Sequence, residues 1–210
     1  MHRVLRANRA FLLYEAAFMT YGAGFHICEG LFPVLVTAGL LLDYQQVAES
    51  AHVVRQAATL VMIVPAGWLI DRLGAARTSA YAFAGLALYP LGLLLALQTS
   101  LAPGLHGVPG LTIASVCQGV ALAGVFQTWM LGPVTLAPKP EHVPQYVAIH
   151  TALVGVRGVL AQGLGMGLYM LFGGFETPLL VSSACFAWGA WQMRGLARRL
   201  RPTAGQAETR

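Results

Sequence analysis

Glu15, Met19, Gly22, His26, Glu29 and Pro33 recur at spacings of four and three. On a helix they fall on one face. The stretch around them is apolar, so two carboxyl groups and an imidazole are set into a hydrophobic helix. Arg55 sits in the next apolar stretch with His52, Gln56 and Thr59. Gln118 and Gln127 lie in a later one, and Arg157 follows with His150 and Gln162 nearby. Ionisable groups at membrane depth are costly and mark substrate or ion pathways by default. An arginine there is a fixed positive charge that does not discharge by losing its proton. A buried carboxyl group can carry a proton, because burial raises its pKa and a neighbouring arginine lowers it again. Glu29 is the expected proton carrier. Arg55 and Arg157 are the expected anchors for an anionic group.

The elements that position these residues follow from composition. Hydrophobic residues make up 57% of the 210-residue chain and charged residues 10%. Mean hydropathy is +0.64. Soluble domains carry about a quarter charged residues, so lipid is the expected solvent. A bilayer core of ~30 Å takes roughly 20 helical residues to cross. Six stretches qualify: Phe11–Thr37, Tyr44–Ile70, Ser79–Leu97, Gly110–Leu136, Val147–Phe172 and Thr177–Met193. Asp43 with Gln46 reads as a capping box. Residues 103–110, 138–144 and 173–176 read as loops. Pro33, Pro65 and Pro90 inside spans suit kinked membrane helices. The expected fold is all-α, six transmembrane helices over residues 1–201, with a disordered cytoplasmic tail at 202–210. No cleaved signal peptide is expected, since the first apolar stretch is long and holds Glu15 and Glu29.

Basic residues give the expected orientation. Arg3, Arg6, Arg9, Arg72, Arg77, Lys139, Arg194, Arg198, Arg199, Arg201 and Arg210 all fall on one side of six alternating spans. The positive-inside rule then puts both termini in the cytoplasm. The net charge of +5 is accounted for by this bias, and no nucleic-acid partner is expected. Cys28, Cys117 and Cys185 are far apart and form no CxxC pair, so neither a disulfide framework nor a metal site is expected. No cofactor is expected.

Depth along each span, at ~1.5 Å per residue, places His26 and Arg55 at ~22 Å from the cytoplasmic ends, Glu29 at ~27 Å, Arg157 at ~15 Å and Glu15 at only ~6 Å. Arg55 is therefore expected to pair with Glu29, with His26 beside it. Glu15 reads as interfacial. Arg157 has no acid at its own level, which points to an anionic substrate group or an acid of a partner chain. The competing reading of all these charges is that they hold helices together.

The loop after the second span reads Gly67-Trp-Leu-Ile-Asp71-Arg72-Leu-Gly74-Ala-Ala-Arg77. It resembles the Gly-x-x-x-Asp-Arg-x-Gly-x-x-Arg motif of the major facilitator superfamily, at the place where that family carries it. The match covers Gly67, Asp71, Arg72, Gly74 and Arg77. It departs at Ala75 and Ala76, where a basic residue is common. The Asn8-Arg-Ala-Phe start and the stretch from His150 to Gly158 resemble the second half of such proteins. The resemblance implies a 3+3 half bundle and a secondary transporter of a small solute in a cell inner membrane, not an enzyme. Family members have two related six-helix halves, so a homodimer or a second half is implied. The chain is read as a natural half, a split-gene product or a fragment. In the family the motif aspartate approaches the start of the fifth helix of the other half, here residues from Tyr146 to His150. An antiporter-type motif is not met, because Gly163, Gly165 and Gly167 come without a proline.

Other classes fit less well. An intramembrane serine protease requires a Gly-x-Ser-Gly turn, whereas Ser115 lies between Ala114 and Val116. A membrane haem protein requires matched histidine pairs, and His26 with His52 is a poor one. The serious competitor is a non-transporting membrane protein, such as an assembly factor or an inactive transporter fragment.

Overall fold

A computed structural model describes residues 1–100 and 107–200. The chain is all-helical, with 91% helix and no strand among the described residues. A short helix, His2–Ala7, precedes six long ones. These are α1 (Arg9–Gly39), α2 (Tyr44–Leu73), α3 (Ala75–Ser100), α4 (Val108–Leu136), α5 (Pro140–Phe172) and α6 (Glu176–Arg199). Residues 103–106 of the loop expected at 103–110 and the tail expected from 202 lie outside the described residues; the loop is shorter than expected, since Gly107 already caps a helix that starts at Val108.

Helix ends follow local chemistry. The Asn8 side chain accepts from the Phe11 N–H at 3.0 Å and so caps α1. The same side chain donates to the Leu136 carbonyl at 2.8 Å and the Tyr146 hydroxyl at 3.2 Å, which ties the start of α1 to the end of α4 and the start of α5. Asp43 and Gln46 form the expected capping box at the start of α2. The facing ends of α1 and α2 widen into π-helix at Leu35–Gly39 and Ala48–Val53. One residue, Gly74, joins α2 to α3 with φ +79° and ψ 159°, a backbone region essentially reserved for glycine. The helix α3 breaks at Ala87. Pro90 has no N–H to offer the Leu86 carbonyl one turn back, which accounts for the break.

Five helices, α1 to α5, are long and apolar enough to cross a membrane. α6 is long enough but more polar, with Gln192, Arg194, Arg198 and Arg199 crowding its last turns. It is not among the five, so the expectation of six clear spans is met for five. The contacting pairs show that odd-numbered helices run one way and even-numbered ones the other. Glu15 meets His150 and Gly22 meets Arg157, so α1 and α5 are parallel. Tyr14 meets Trp129 and Glu29 meets Gln118, so α1 and α4 are antiparallel. α6 runs antiparallel to α1, with Ser182 at Gly24 and Gly189 at Tyr21.

Small residues let the backbones approach, as in membrane helix pairs generally. A Cβ on Gly92 would lie 2.9 Å from the Ala114 Cα, and one on Gly24 would lie 2.7 Å from the Ser182 carbonyl oxygen. Two apolar clusters fill the bundle. Phe18, Phe83, Phe186 and Met193 lie towards the end that carries Gly74, and Leu35, Tyr89, Leu93 and Leu111 lie towards the other. Burial is uneven. Of the most apolar stretch of each helix, 61% is buried in α4 but only 22% in α5 and 11% in α2. α2 and α5 thus present exposed faces bearing Leu60, Val64, Val159, Leu160 and Leu171. Continuous apolar surface of this kind is made for lipid or another protein.

Candidate functional site

The polar face of α1 does meet polar residues of its neighbours, in pairs other than those its depths suggested. Glu15 is 3% exposed and His150 0%. The His150 Nδ1 lies 3.0 Å from Oε1 and 3.1 Å from Oε2 of Glu15, a bidentate buried contact between α1 and α5. Glu15 is therefore buried within the bundle; the helix begins at Arg9, capped by Asn8, which puts Glu15 ~9 Å from its start. Tyr14, Phe18 and Trp129 surround the His150 ring. Its Nε2 has no hydrogen-bond partner among the described residues.

Two turns further along α5, Arg157 points into the same α1–α5 seam and is 6% exposed. Its Nη1 donates to the Phe18 carbonyl. The guanidinium carbon stands 5.3 Å from the centroid of the Tyr21 ring, within the range of a cation–π contact. The guanidinium lies directly over Gly22, where any side chain would occupy its place. Arg157 Nε and Trp129 Nε1 are buried without partners. Both residues line a cavity of about 150 Å³ together with Tyr21, His26 and Val154. Arg157 has no ion-paired acid among the described residues, as its depth suggested.

The expected Arg55–Glu29 pair is not made. Glu29 accepts a hydrogen bond from Gln118 Nε2 at 2.8 Å. Arg55 instead reaches back one turn to His52 Nδ1 at 3.3 Å. Thr59 explains the local geometry of α2: its hydroxyl contacts the carbonyls of both Arg55 and Gly119, at 2.9 and 3.0 Å. That contact holds α2 against α4, and a side chain on Gly119 would strike the Arg55 carbonyl. His26 sits half-buried above Gly158 of α5 and edge-on to Phe25. It is beside Arg157 and not beside Arg55. Gln127 leaves the polar set, since its amide donates to the Ile63 carbonyl at 2.7 Å and braces α4 on α2.

In the loop motif, Gly74 has the one conformation that demands glycine. Gly67 leaves room for Gln127, whose Oε1 would sit 3.1 Å from an added Cβ. Arg72 stacks on Trp68 at 3.9 Å. Asp71 is exposed and makes no ion pair among the described residues, so it is free for a contact outside this chain. Of the residues expected to meet it in a partner, Tyr146 and His150 are buried in their own bundle. Ala148 and the adjacent Gln145 are exposed.

Sequence reasoning missed the Glu15–His150 pair and the roles of Tyr21 and Trp129. A usable signal existed for the first. On parallel helices, Glu15 lies six residues after Arg9 and His150 seven after Val143, so the two share a depth of roughly 10 Å. Comparison with family models, curated proteins and solved structures finds no match.

Proposed function

We propose that the chain is one six-helix half, arranged 3+3, of a secondary transporter of the major facilitator type. It would carry a small solute with an anionic group across a bacterial inner membrane, with both termini in the cytoplasm. It would work as a homodimer or with a second six-helix half. The observation that carries this reading is the α1–α5 seam. There a buried carboxyl–imidazole pair and a buried arginine lie in one line, and unpartnered donors border a cavity. Such groups in lipid-embedded helices mark substrate and proton paths. The loop motif and the exposed faces of α2 and α5 support it further, because a partner half would cover them.

The cavity of about 150 Å³ is below the roughly 300 Å³ of a typical ligand site. On this reading the second half completes the site around Arg157. The Glu15–His150 pair takes the proton-carrying role expected of Glu29, which is bonded to a neutral amide and has no arginine partner. A solute bound at Arg157 would alter the field at the pair two turns away, a direct route to coupling.

Uptake of labelled organic anions into proteoliposomes tests the proposal, with an imposed proton gradient. Arg157→Ala should remove binding and uptake while the protein stays inserted. Glu15→Gln should spare exchange and stop proton-driven accumulation. Normal uptake by Arg157→Ala refutes the site assignment.

A second reading has its own support. The Arg157 guanidinium is packed against Phe18, Tyr21 and Gly22, as a helix clamp would be. A non-transporting membrane protein predicts that apolar replacement of both Glu15 and His150 leaves every activity of the protein intact.

A further inference from the structure

Three arginines converge where α3 begins and α6 ends. Arg77, Arg194 and Arg198 line a groove of about 720 Å³ between the two helices. No acidic residue lines it, and none of the three arginines has an ion-paired carboxylate among the described residues. The floor consists of small residues, notably Ala84 and Ala187, both exposed. Tyr81, 62% exposed, stands on one wall and Trp191, 65% exposed, on the other. Trp191 is held there by stacking on Trp188 at 4.7 Å. Counting at ~1.5 Å per residue from the helix ends, Tyr81 and Trp191 both lie roughly 10 Å inside, where aromatic side chains gather at membrane interfaces.

We propose that this groove binds an anionic phospholipid, with the phosphate on Arg77 and Arg198 and an acyl chain along the alanine floor. Three features of the groove match that ligand together. Two helices contribute unopposed guanidinium groups, which clasp phosphate oxygens in pairs. The alanines leave a small-residue apolar floor between the two helices. The aromatic walls bracket the boundary between head group and chain. A free anion would use only the arginines and has no need of the floor. α6 is the most polar of the long helices, and an anionic lipid at this place offsets the charge that makes it so. The site is distinct from the α1–α5 seam and does not depend on the transport reading.

Native mass spectrometry of the full chain, released from micelles containing equal amounts of phosphatidylglycerol and phosphatidylcholine, tests the proposal. One retained phosphatidylglycerol per chain is expected in clear excess over phosphatidylcholine. Arg77→Gln with Arg198→Gln should lower retention by about 25-fold, from roughly fivefold per arginine near a lipid surface. Arg3→Gln with Arg6→Gln removes as much charge elsewhere and should leave retention unchanged. Ala187→Leu fills the groove floor on an exposed position, keeps all arginines and should also lower retention. Excess inorganic phosphate should not displace the lipid. Equal retention of both lipids, an undiminished signal in both groove variants, an equal loss in the Arg3 and Arg6 variant, or displacement by inorganic phosphate overturns the proposal.

Discussion

Replacing Glu15 by leucine should be among the most damaging single changes in the chain, and replacing His150 by phenylalanine as well should repair most of the damage. The magnitude follows from burial. Glu15 is 3% exposed, His150 is 0% exposed, and both carboxylate oxygens contact the same ring nitrogen. His150 Nε2 already lacks a partner. Glu15→Leu thus leaves a wholly buried imidazole with neither nitrogen satisfied. An unsatisfied buried polar group costs about 1–3 kcal/mol, and a broken buried ion pair about 3–5 kcal/mol, so about 3 kcal/mol is expected where the ranges meet. The double variant swaps a polar pair for an apolar one against Tyr14, Phe18 and Trp129, and should return to within about 1 kcal/mol of the parent. For a chain of this length, 3 kcal/mol corresponds to roughly 6–12 °C in unfolding temperature. Tryptophan fluorescence during thermal unfolding in detergent, with monodispersity measured by size-exclusion chromatography, reads both effects. Additive losses in the double variant would refute the pairing. So would a single variant that unfolds within a degree or two of the parent. If the pair carries protons, the double variant will be folded yet unable to accumulate solute against a proton gradient.

Other positions give sharper local tests. Gly22→Val should evict Arg157 from its place over α1 and cost about 1–3 kcal/mol, read as a lower unfolding temperature that Arg157→Ala in the same chain partly restores. Gly74→Ala should cost on the order of 1–3 kcal/mol because its φ and ψ suit glycine alone; nothing lies near its missing side chain, so an unchanged unfolding temperature would mean that the turn is built differently. Cysteine pairs test the partner interface: Asp71→Cys in one copy and Gln145→Cys in another, in a background without native cysteines, should crosslink, whereas Tyr146→Cys should not because Tyr146 is buried on Phe11 and Asn8. Tags at the two termini should both be shielded from an impermeant probe outside the cell; an exposed carboxyl terminus would refute the half-transporter reading.

Much of this fold was legible in the sequence because its cause is one-dimensional. Hydropathy over some twenty residues marks a span, and Asp43 with Gln46 or Gly173 marks an end, without reference to anything distant. The helix α6 is the weakest of the six expected spans: Gln192 lies inside the expected stretch Thr177–Met193 and Arg194 just beyond it, and the helix is not among the five long and apolar enough to cross a membrane. The site was legible only by residue type. Glu15, His26, Glu29, Arg55 and Arg157 were all evident as charges out of place, but which of them meet depends on helix rotation and on which helices are neighbours. Arg55 and Glu29 lie within ~5 Å of each other in depth but are held apart, since Thr59 fixes α2 on α4 and Gln118 reaches Glu29 first. Glu15 and His150 are separated by 135 positions in the chain, and no local pattern links them. The α3–α6 groove was invisible for the same reason, since Arg77 and Arg198 become neighbours only when two antiparallel helices close on each other.

The single-residue join at Gly74 has a bearing on biogenesis. Leu73 and Ala75 are two bonds of the Cα trace apart, at most about 7 Å, so neither α2 nor α3 can wait outside the bilayer while the other settles within it. In a bilayer the two helices would partition together, as a hairpin whose tip carries Asp71, Arg72 and Arg77. Lengthening that tip by a few flexible residues would uncouple the two partitioning events. The two helices could then enter the bilayer one after the other during synthesis.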